Sequence, residues 1–145
     1  MQTLRIETVD GIATLTFDEP NSPVNTMCAA WQADIVAAVA QIAQDKAQLK
    51  GVILASSKKT FFAGADLKSV MLLTDADAPA LFAEIERLKR AFRTLETLGI
   101  PVVACLNGSA LGGGWEVALS AHHRIAVDDA KTQFGLPELT LGLIP

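Results

Sequence analysis

Residues 100–119 read IPVVACLNGSALGGGWEVAL. The apolar, β-branched run PVVACLN (101–107) predicts a buried strand. Turn residues Asn107, Gly108 and Ser109 follow. Three glycines, Gly112–Gly114, then lead directly into Trp115, Glu116 and an apolar segment whose pattern predicts a helix over 114–122. Strand, turn and helix follow one another without a linker, the signature of an α/β domain.

The same alternation extends outward. Upstream, TLRIETVDGIATLTFDEP (3–20) alternates apolar and polar residues on both sides of Asp10-Gly11, a hairpin signal. NSPVN (21–25) is a turn-rich loop. Thr26 is placed to cap a helix reaching about Lys46, with Trp31, Ile35, Val39 and Ile42 on one apolar face. GVILAS (51–56) predicts another buried strand, and SKKTFFAGADL (57–67) a loop or tight turn. Helix is expected to resume near Asp66 and again over 77–97, where Leu81, Ile85, Leu88, Phe92 and Leu95 recur at helical spacing. Downstream, RIAVDD (124–129) predicts a strand ending in a turn at Asp128 and Asp129. KTQFGLPELTLG (131–142) predicts a strand remnant and a loop.

With 145 residues, half of them apolar and 19% charged, the composition is that of one globular domain. A net charge of −4 disfavours nucleic acid as a main partner, because phosphate backbones require a basic surface. No apolar run is long enough for a membrane span, and the N-terminus has no signal-peptide pattern, so a cytoplasmic protein is expected. Cys28 and Cys105 read as buried free thiols, and no Cys/His spacing suggests a metal. The chain stops at LTLGLIP, an apolar stretch with no polar tail, which suggests a piece of something longer.

Several readings compete for the glycine run. A dinucleotide fingerprint fails, because Gly112 and Gly114 are followed by Val117 where a third glycine belongs. The Gly-Lys-Ser/Thr of a phosphate loop is absent, and Ser109 lacks the flanks of a nucleophile elbow. Close packing of strand on helix would explain one glycine. An oxyanion site would explain the run: the first N–H groups of a helix lack internal partners, and glycine lets a ligand reach them. Glu116 then lies on the first turn beside the ligand. A carboxylate at a helix start is also a common stabilising feature, so Glu116 remains open to both roles. FFAGADL (61–67) offers a second turn of similar design around Gly64. In FGLPEL (134–139), Pro137 stiffens the loop that carries Glu138.

PVNTM, FFAGADL, IPVVACLNGSALGGGWEVAL and FGLPELTLGLIP, in this order and at these separations, resemble the enoyl-CoA hydratase/isomerase (crotonase) superfamily. HHRIAVDDAKTQFGLPEL is similar to the hydratase part of fused fatty-acid oxidation multienzymes, which also carry a 3-hydroxyacyl-CoA dehydrogenase. The resemblance implies a spiral of ββα turns, here an incomplete N-terminal portion whose C-terminal, trimer-forming helices are missing. It implies oxyanion donors at the backbone N–H groups of Ala65 and Gly113, and catalytic carboxylates at Glu116 and Glu138. The CoA-contacting turn corresponds to Ala63, Ala65, Asp66, Leu67 and Lys68. The acyl-CoA thioester is the substrate and no cofactor is implied. A homo-oligomer or a place in a multienzyme complex is expected.

The implied activity is hydration of trans-2-enoyl-CoA. A double-bond isomerase of the same fold and a non-catalytic acyl-CoA-binding or scaffold protein are the alternatives. Trp115 is unusual before the glutamate and could narrow the acyl pocket. His122 and His123 are adjacent, so on a helix they diverge and cannot both face a site. Neither is expected to be catalytic. Lys58 and Lys59 could meet CoA phosphates or lie on a solvated loop.

Overall fold

The computed structural model describes residues 1–145. β1 (Leu4–Val9) and β2 (Ile12–Phe17) form the expected antiparallel hairpin. Asp10 and Gly11 both take positive φ, 52° and 85°, the backbone that a two-residue turn between right-twisted strands requires.

Three further strands extend β2 in parallel: β3 (Gly51–Ser56), β4 (Val102–Leu106) and, numbered in chain order, β6 (His123–Ala126). The sheet order is β1-β2-β3-β4-β6. Helices make the parallel crossovers: α1 (Ala29–Asp45), then α2 (Leu67–Val70) with α3 (Ala78–Glu96), then α4 (Gly113–Leu119). Side chains alternate across the pleat, so Ala13, Val52 and Val102 form one buried rung. Leu15, Leu54 and Ala104 form the next. The other face of β3 and β4 is only half-buried, at Ile53, Val103 and Cys105. The continuous apolar runs had suggested burial on both faces. Cys28 and Cys105 are accordingly half-buried thiols and not core residues.

α1 buries Trp31, Ile35, Val39 and Ile42, the face that the spacing predicted. Its start differs from expectation. Thr26 does not cap it, because its N–H and its hydroxyl both donate to Glu19 Oε2 at 2.9 Å. The helix begins three residues later, behind Cys28. α3 also departs from its pattern. Leu88 and Leu95 are buried and Phe92 packs on the core, but Leu81, Phe82 and Ile85 are exposed. α1 lies along only the second half of α3, where Val36, Val39 and Ala40 face Arg87, Ala91 and Thr94. No element covers the apolar stripe before that.

Two features fix the loop at 57–66. Phe61 and Phe62 are fully buried and meet Phe17 edge-to-face at centroid distances of 5.7 and 5.6 Å; Phe62 also meets Trp31 at 4.8 Å. Such pairs contribute about 0.5–1.5 kcal/mol each beyond area burial. The second feature is Asn25, which is fully buried. Its Oδ1 accepts the Glu19 N–H at 3.0 Å, and its Nδ2 donates to Ser56 Oγ at 2.9 Å and to the Phe61 carbonyl at 3.2 Å. Its own carbonyl accepts the Ala63 N–H at 2.9 Å.

Removing the carboxamide leaves a buried donor and a buried acceptor without partners. Asn25→Ala should lower stability in urea unfolding by about 2–4 kcal/mol, two uncompensated groups at about 1–3 kcal/mol each with partial relaxation. A loss below about 1 kcal/mol would show that the loop is held by the aromatic cluster alone.

Candidate active site

The fragments singled out from sequence meet along one narrow strip. β5 (Ala110–Leu111) runs between the 61–64 turn and β7 (Phe134–Gly135). On one side, the N–H groups of Phe61 and Phe62 donate to the Ser109 carbonyl, and the Leu111 N–H donates to the Phe62 carbonyl. On the other, Ala110 and Gly112 donate to the carbonyls of Gln133 and Gly135 at 3.0 and 2.9 Å. The Met27 N–H donates to the Gly64 carbonyl at 2.9 Å and ties in the upstream loop.

At the end of this strip the Gly64 turn lies close against the Leu111–Gly112 backbone. A Cβ on Gly64 would lie 2.8 Å from the Leu111 carbonyl oxygen and 3.8 Å from the Gly112 Cα. A Cβ on Gly112 would lie 2.6 Å from Glu138 Oε1. Gly64 and Gly112 take φ of 99° and 54°, backbone that strongly favours glycine. The next two glycines are small for other reasons. A side chain at Gly113 would strike the Met27 thioether, and one at Gly114 the Phe62 backbone.

Each contacting glycine precedes a residue singled out as a donor. The N–H groups of Ala65 and Gly113 donate to no backbone carbonyl. For Gly113 this follows from its place as the first residue of α4. Ala63, Gly64, Ala65, Leu67, Leu111, Gly112 and Glu138 line one cavity of about 240 Å³. Glu138 enters it from a single turn of 3-10 helix over Pro137–Leu141, and its Oε2 is buried without a hydrogen-bond partner. An unsatisfied buried carboxylate oxygen is uncommon in structural roles.

Glu116 lies on the first turn of α4 and opens into a neighbouring cleft of about 560 Å³. Phe92, Leu119 and Leu136 supply its apolar wall, and Lys89, Arg90, Arg93 and Glu96 its rim. Burial pushes the Glu116 carboxyl above the usual range, and the nearby charge of Glu138 pushes it further the same way. The two carboxylates thus flank the Gly112–Gly113 turn, with the charge of Glu138 felt at Glu116. A pair of acids in unlike environments, next to free backbone donors, can move protons to and from a polarised carbonyl compound.

The remaining candidates fall elsewhere. Asp66 caps α2: its carboxylate accepts from the Lys68 N–H and the Ser69 hydroxyl, which hold it below the ordinary range. Lys68 and Lys59 are exposed. Lys58 is half-buried and its Nζ pairs with Asp18 at 2.9 Å. Trp115 lines neither cavity and stacks on Phe134 instead. His122 is structural: its Nδ1 accepts the Val102 N–H, so its Nε2 carries the proton and meets the Glu96 carbonyl, both at 2.9 Å. His123, Asp128 and Asp129 are exposed. Asn25 is the supporting residue that sequence reading passed over. Its partners lie 6, 31 and 36 residues away, so no local pattern marks it.

The profile of the Enoyl-CoA hydratase/isomerase family matches residues 7–145. This chain belongs to that family. Among curated relatives it is similar to the fatty acid oxidation complex subunit alpha of Shewanella oneidensis, 43% identical over 138 residues, covering 94% of this chain and 19% of that protein. The Shewanella baltica counterpart is 44% identical over the same shares. Among solved structures, the fold matches an enoyl-CoA hydratase from Bacillus anthracis at TM-score 0.85 and 27% identity, over 99% of this chain and 54% of that one. It also matches an enoyl-CoA hydratase/carnithine racemase from Magnetospirillum magneticum at TM-score 0.86 and 25% identity, over 100% and 53%. The chain therefore spans about a fifth of the curated relatives and about half of the solved ones. The α/β, crotonase-like fold class expected from sequence holds. No helix is long and apolar enough to cross a membrane.

Two outcomes follow from this geometry. Because the folded-state pKa of Glu116 is raised, its ionisation opposes folding. The penalty is absent below the unfolded carboxylate range. It grows as pH rises through the folded pKa, and is constant above it. Glu116→Gln should therefore melt with the wild type near pH 4 and above it at pH 8; a gap that is equal at both pH values would contradict the shift. His122→Ala should cost about 1–3 kcal/mol, the penalty for an unpartnered buried N–H at Val102, while turnover stays within a few fold. A loss of turnover above about 10²-fold would give His122 a chemical role.

Proposed function

We propose that this chain hydrates trans-2-enoyl-CoA thioesters in fatty-acid β-oxidation. The observation that carries the reading is the junction at Gly64 and Gly112. There, two backbone N–H groups lacking backbone acceptors each follow a glycine of the junction, and Glu138 lies against Gly112 with its charge felt at Glu116. Membership of the enoyl-CoA hydratase/isomerase family supports it.

In this reading the N–H groups of Ala65 and Gly113 receive the thioester oxygen, on which negative charge builds as the enolate forms. Losing one such donor typically costs about 10²–10³ in rate. Glu116 takes a proton from water as the water oxygen bonds to Cβ. Glu138 delivers a proton to Cα, and exchange with solvent resets the pair. A raised pKa makes Glu116 the better base, provided it is ionised at working pH. Phe92, Leu119 and Leu136 offer an apolar path for the acyl chain. Ala63, Asp66, Leu67 and Lys68 meet the CoA moiety.

The acyl-CoA is substrate and no cofactor takes part. The protein is cytoplasmic in this reading and works as a homo-oligomer or in a multienzyme complex; the names of the fatty acid oxidation complex relatives support the complex. We read residues 1–145 as the N-terminal part of one enoyl-CoA hydratase/isomerase domain.

Crotonyl-CoA hydration, followed by loss of enone absorbance, tests the assignment. Glu116→Gln should lower it by about 10²–10⁴-fold, the range for losing a general acid or base. Movement of a 3-enoyl double bond to position 2 needs no water and should survive better. Glu138→Gln should damage both reactions. Near wild-type hydration by Glu116→Gln would reduce Glu116 to a helix-start carboxylate and overturn its role as the base; movement of the 3-enoyl double bond without hydration in the wild type would leave the isomerase reading.

A further inference from the structure

No residue from 122 to 145 is fully buried, yet this stretch carries Glu138. The core therefore does not hold the second carboxylate in place. Its attachments can be traced. β7 is two residues long and pairs with β5 through the Ala110→Gln133 and Gly112→Gly135 hydrogen bonds. The Gln133 N–H adds a bond to Ser109 Oγ at 3.0 Å. After Gly135 the link to Glu138 runs through Leu136 and Pro137, both exposed.

A side-chain contact adds to these. The Phe134 ring stacks on Trp115 with centroids 5.3 Å apart and planes 25° apart. Trp115 is half-buried, packs against the core, and immediately precedes Glu116 on α4. Two-residue ladders fray readily, because their hydrogen bonds are exposed to water. A broad ring contact behind the ladder resists peeling and twisting of β7, motions that the backbone bonds alone permit.

We propose that Trp115 is a positioning residue: through its stack on Phe134 it fixes the 134–138 segment, and hence Glu138, relative to Glu116 and the Gly113 N–H. The stack joins the helix carrying one carboxylate to the segment carrying the other. The unusual choice of tryptophan before Glu116 is thereby explained by contact across the site and not by the width of the acyl pocket. This inference rests on the hydratase reading, in which Glu138 is the acid.

The test uses crotonyl-CoA hydration by the full chain. Trp115→Ala should lower kcat by about 10–10²-fold, the scale for misplacing a catalytic group by about 1 Å, with KM within about three-fold. Trp115→Phe keeps a stacking ring and should restore kcat to within about three-fold of wild type. Phe134→Leu breaks the same stack without altering α4, and should reproduce the loss. In a Glu138→Gln background, Trp115→Ala should cost less than about two-fold more, because the group it positions is already gone. Wild-type kcat in Phe134→Leu overturns the proposal, and does so even if Trp115→Ala fails to fold. An undiminished further loss in the Glu138→Gln background also overturns it, since Trp115 would then act elsewhere. Wild-type hydration by Glu138→Gln itself would instead sink the assignment of Glu138 as the acid, and no hydration by the wild type would sink the hydratase reading.

Discussion

The close approach of the Gly64 turn to the Leu111–Gly112 backbone governs the geometry of everything around it. Two turns from distant parts of the chain meet there, with the Leu111 carbonyl filling the space of a Cβ on Gly64 and the Glu138 carboxylate that of a Cβ on Gly112. That approach sets residues 65 and 113 each one step beyond it, Ala65 lining the cavity into which Glu138 points and Gly113 opening α4. It also admits Glu138 against Gly112, where any side chain would expel it. The rest of the fold can be read as support for this contact. The Phe17, Trp31, Phe61 and Phe62 cluster anchors one turn to the core, and Asn25 clamps the same turn to the loop after β2.

The two carboxylates illustrate a different constraint. Evolution of stability alone would not place a half-buried Glu116 within the field of Glu138, since burial and that charge both make Glu116 harder to ionise. The surrounding structure tolerates that penalty, as it tolerates an unsatisfied Oε2 on Glu138. Elsewhere the charges are arranged for stability: Glu84 with Arg87, Glu86 with Lys89 and Arg93 with Glu96 pair along α3. Such exposed pairs contribute only tenths of a kcal/mol, and they set off by contrast the one place where acids face each other.

Support thins with distance from the sheet. The first half of α3 exposes Phe82 at 68%, and the end of the chain exposes Leu139 at 76% and Ile144 at 89%. Next to these, Glu138 depends on a two-residue ladder and one aromatic stack, while Glu116 sits on a helix rooted in the core by Val117 and Ala118. The two acids of the proposed site are therefore held with unequal rigidity, and the Trp115–Phe134 contact bridges that difference.

The sequence by itself determined the elements. Period-two spacing located the hairpin, continuous apolar runs located β3 and β4, and period-3.6 spacing located the buried face of α1, because those patterns report local geometry and burial. The glycine run and both glutamates stood out because helix starts and stiffened loops have local chemistry. What the tertiary structure alone decided is the set of long-range partners. Thr26 turns from helix cap to ligand of Glu19, Lys58 from candidate phosphate contact to partner of Asp18, and Trp115 from pocket wall to stacking base. Asn25, unremarkable in its loop, becomes a hub only when β2, β3 and the 61–63 turn converge on it. Local periodicity says which side of an element is apolar. It does not say which distant backbone will come within hydrogen-bonding reach, because that depends on how the sheet orders its strands and how closely two glycines let their turns approach.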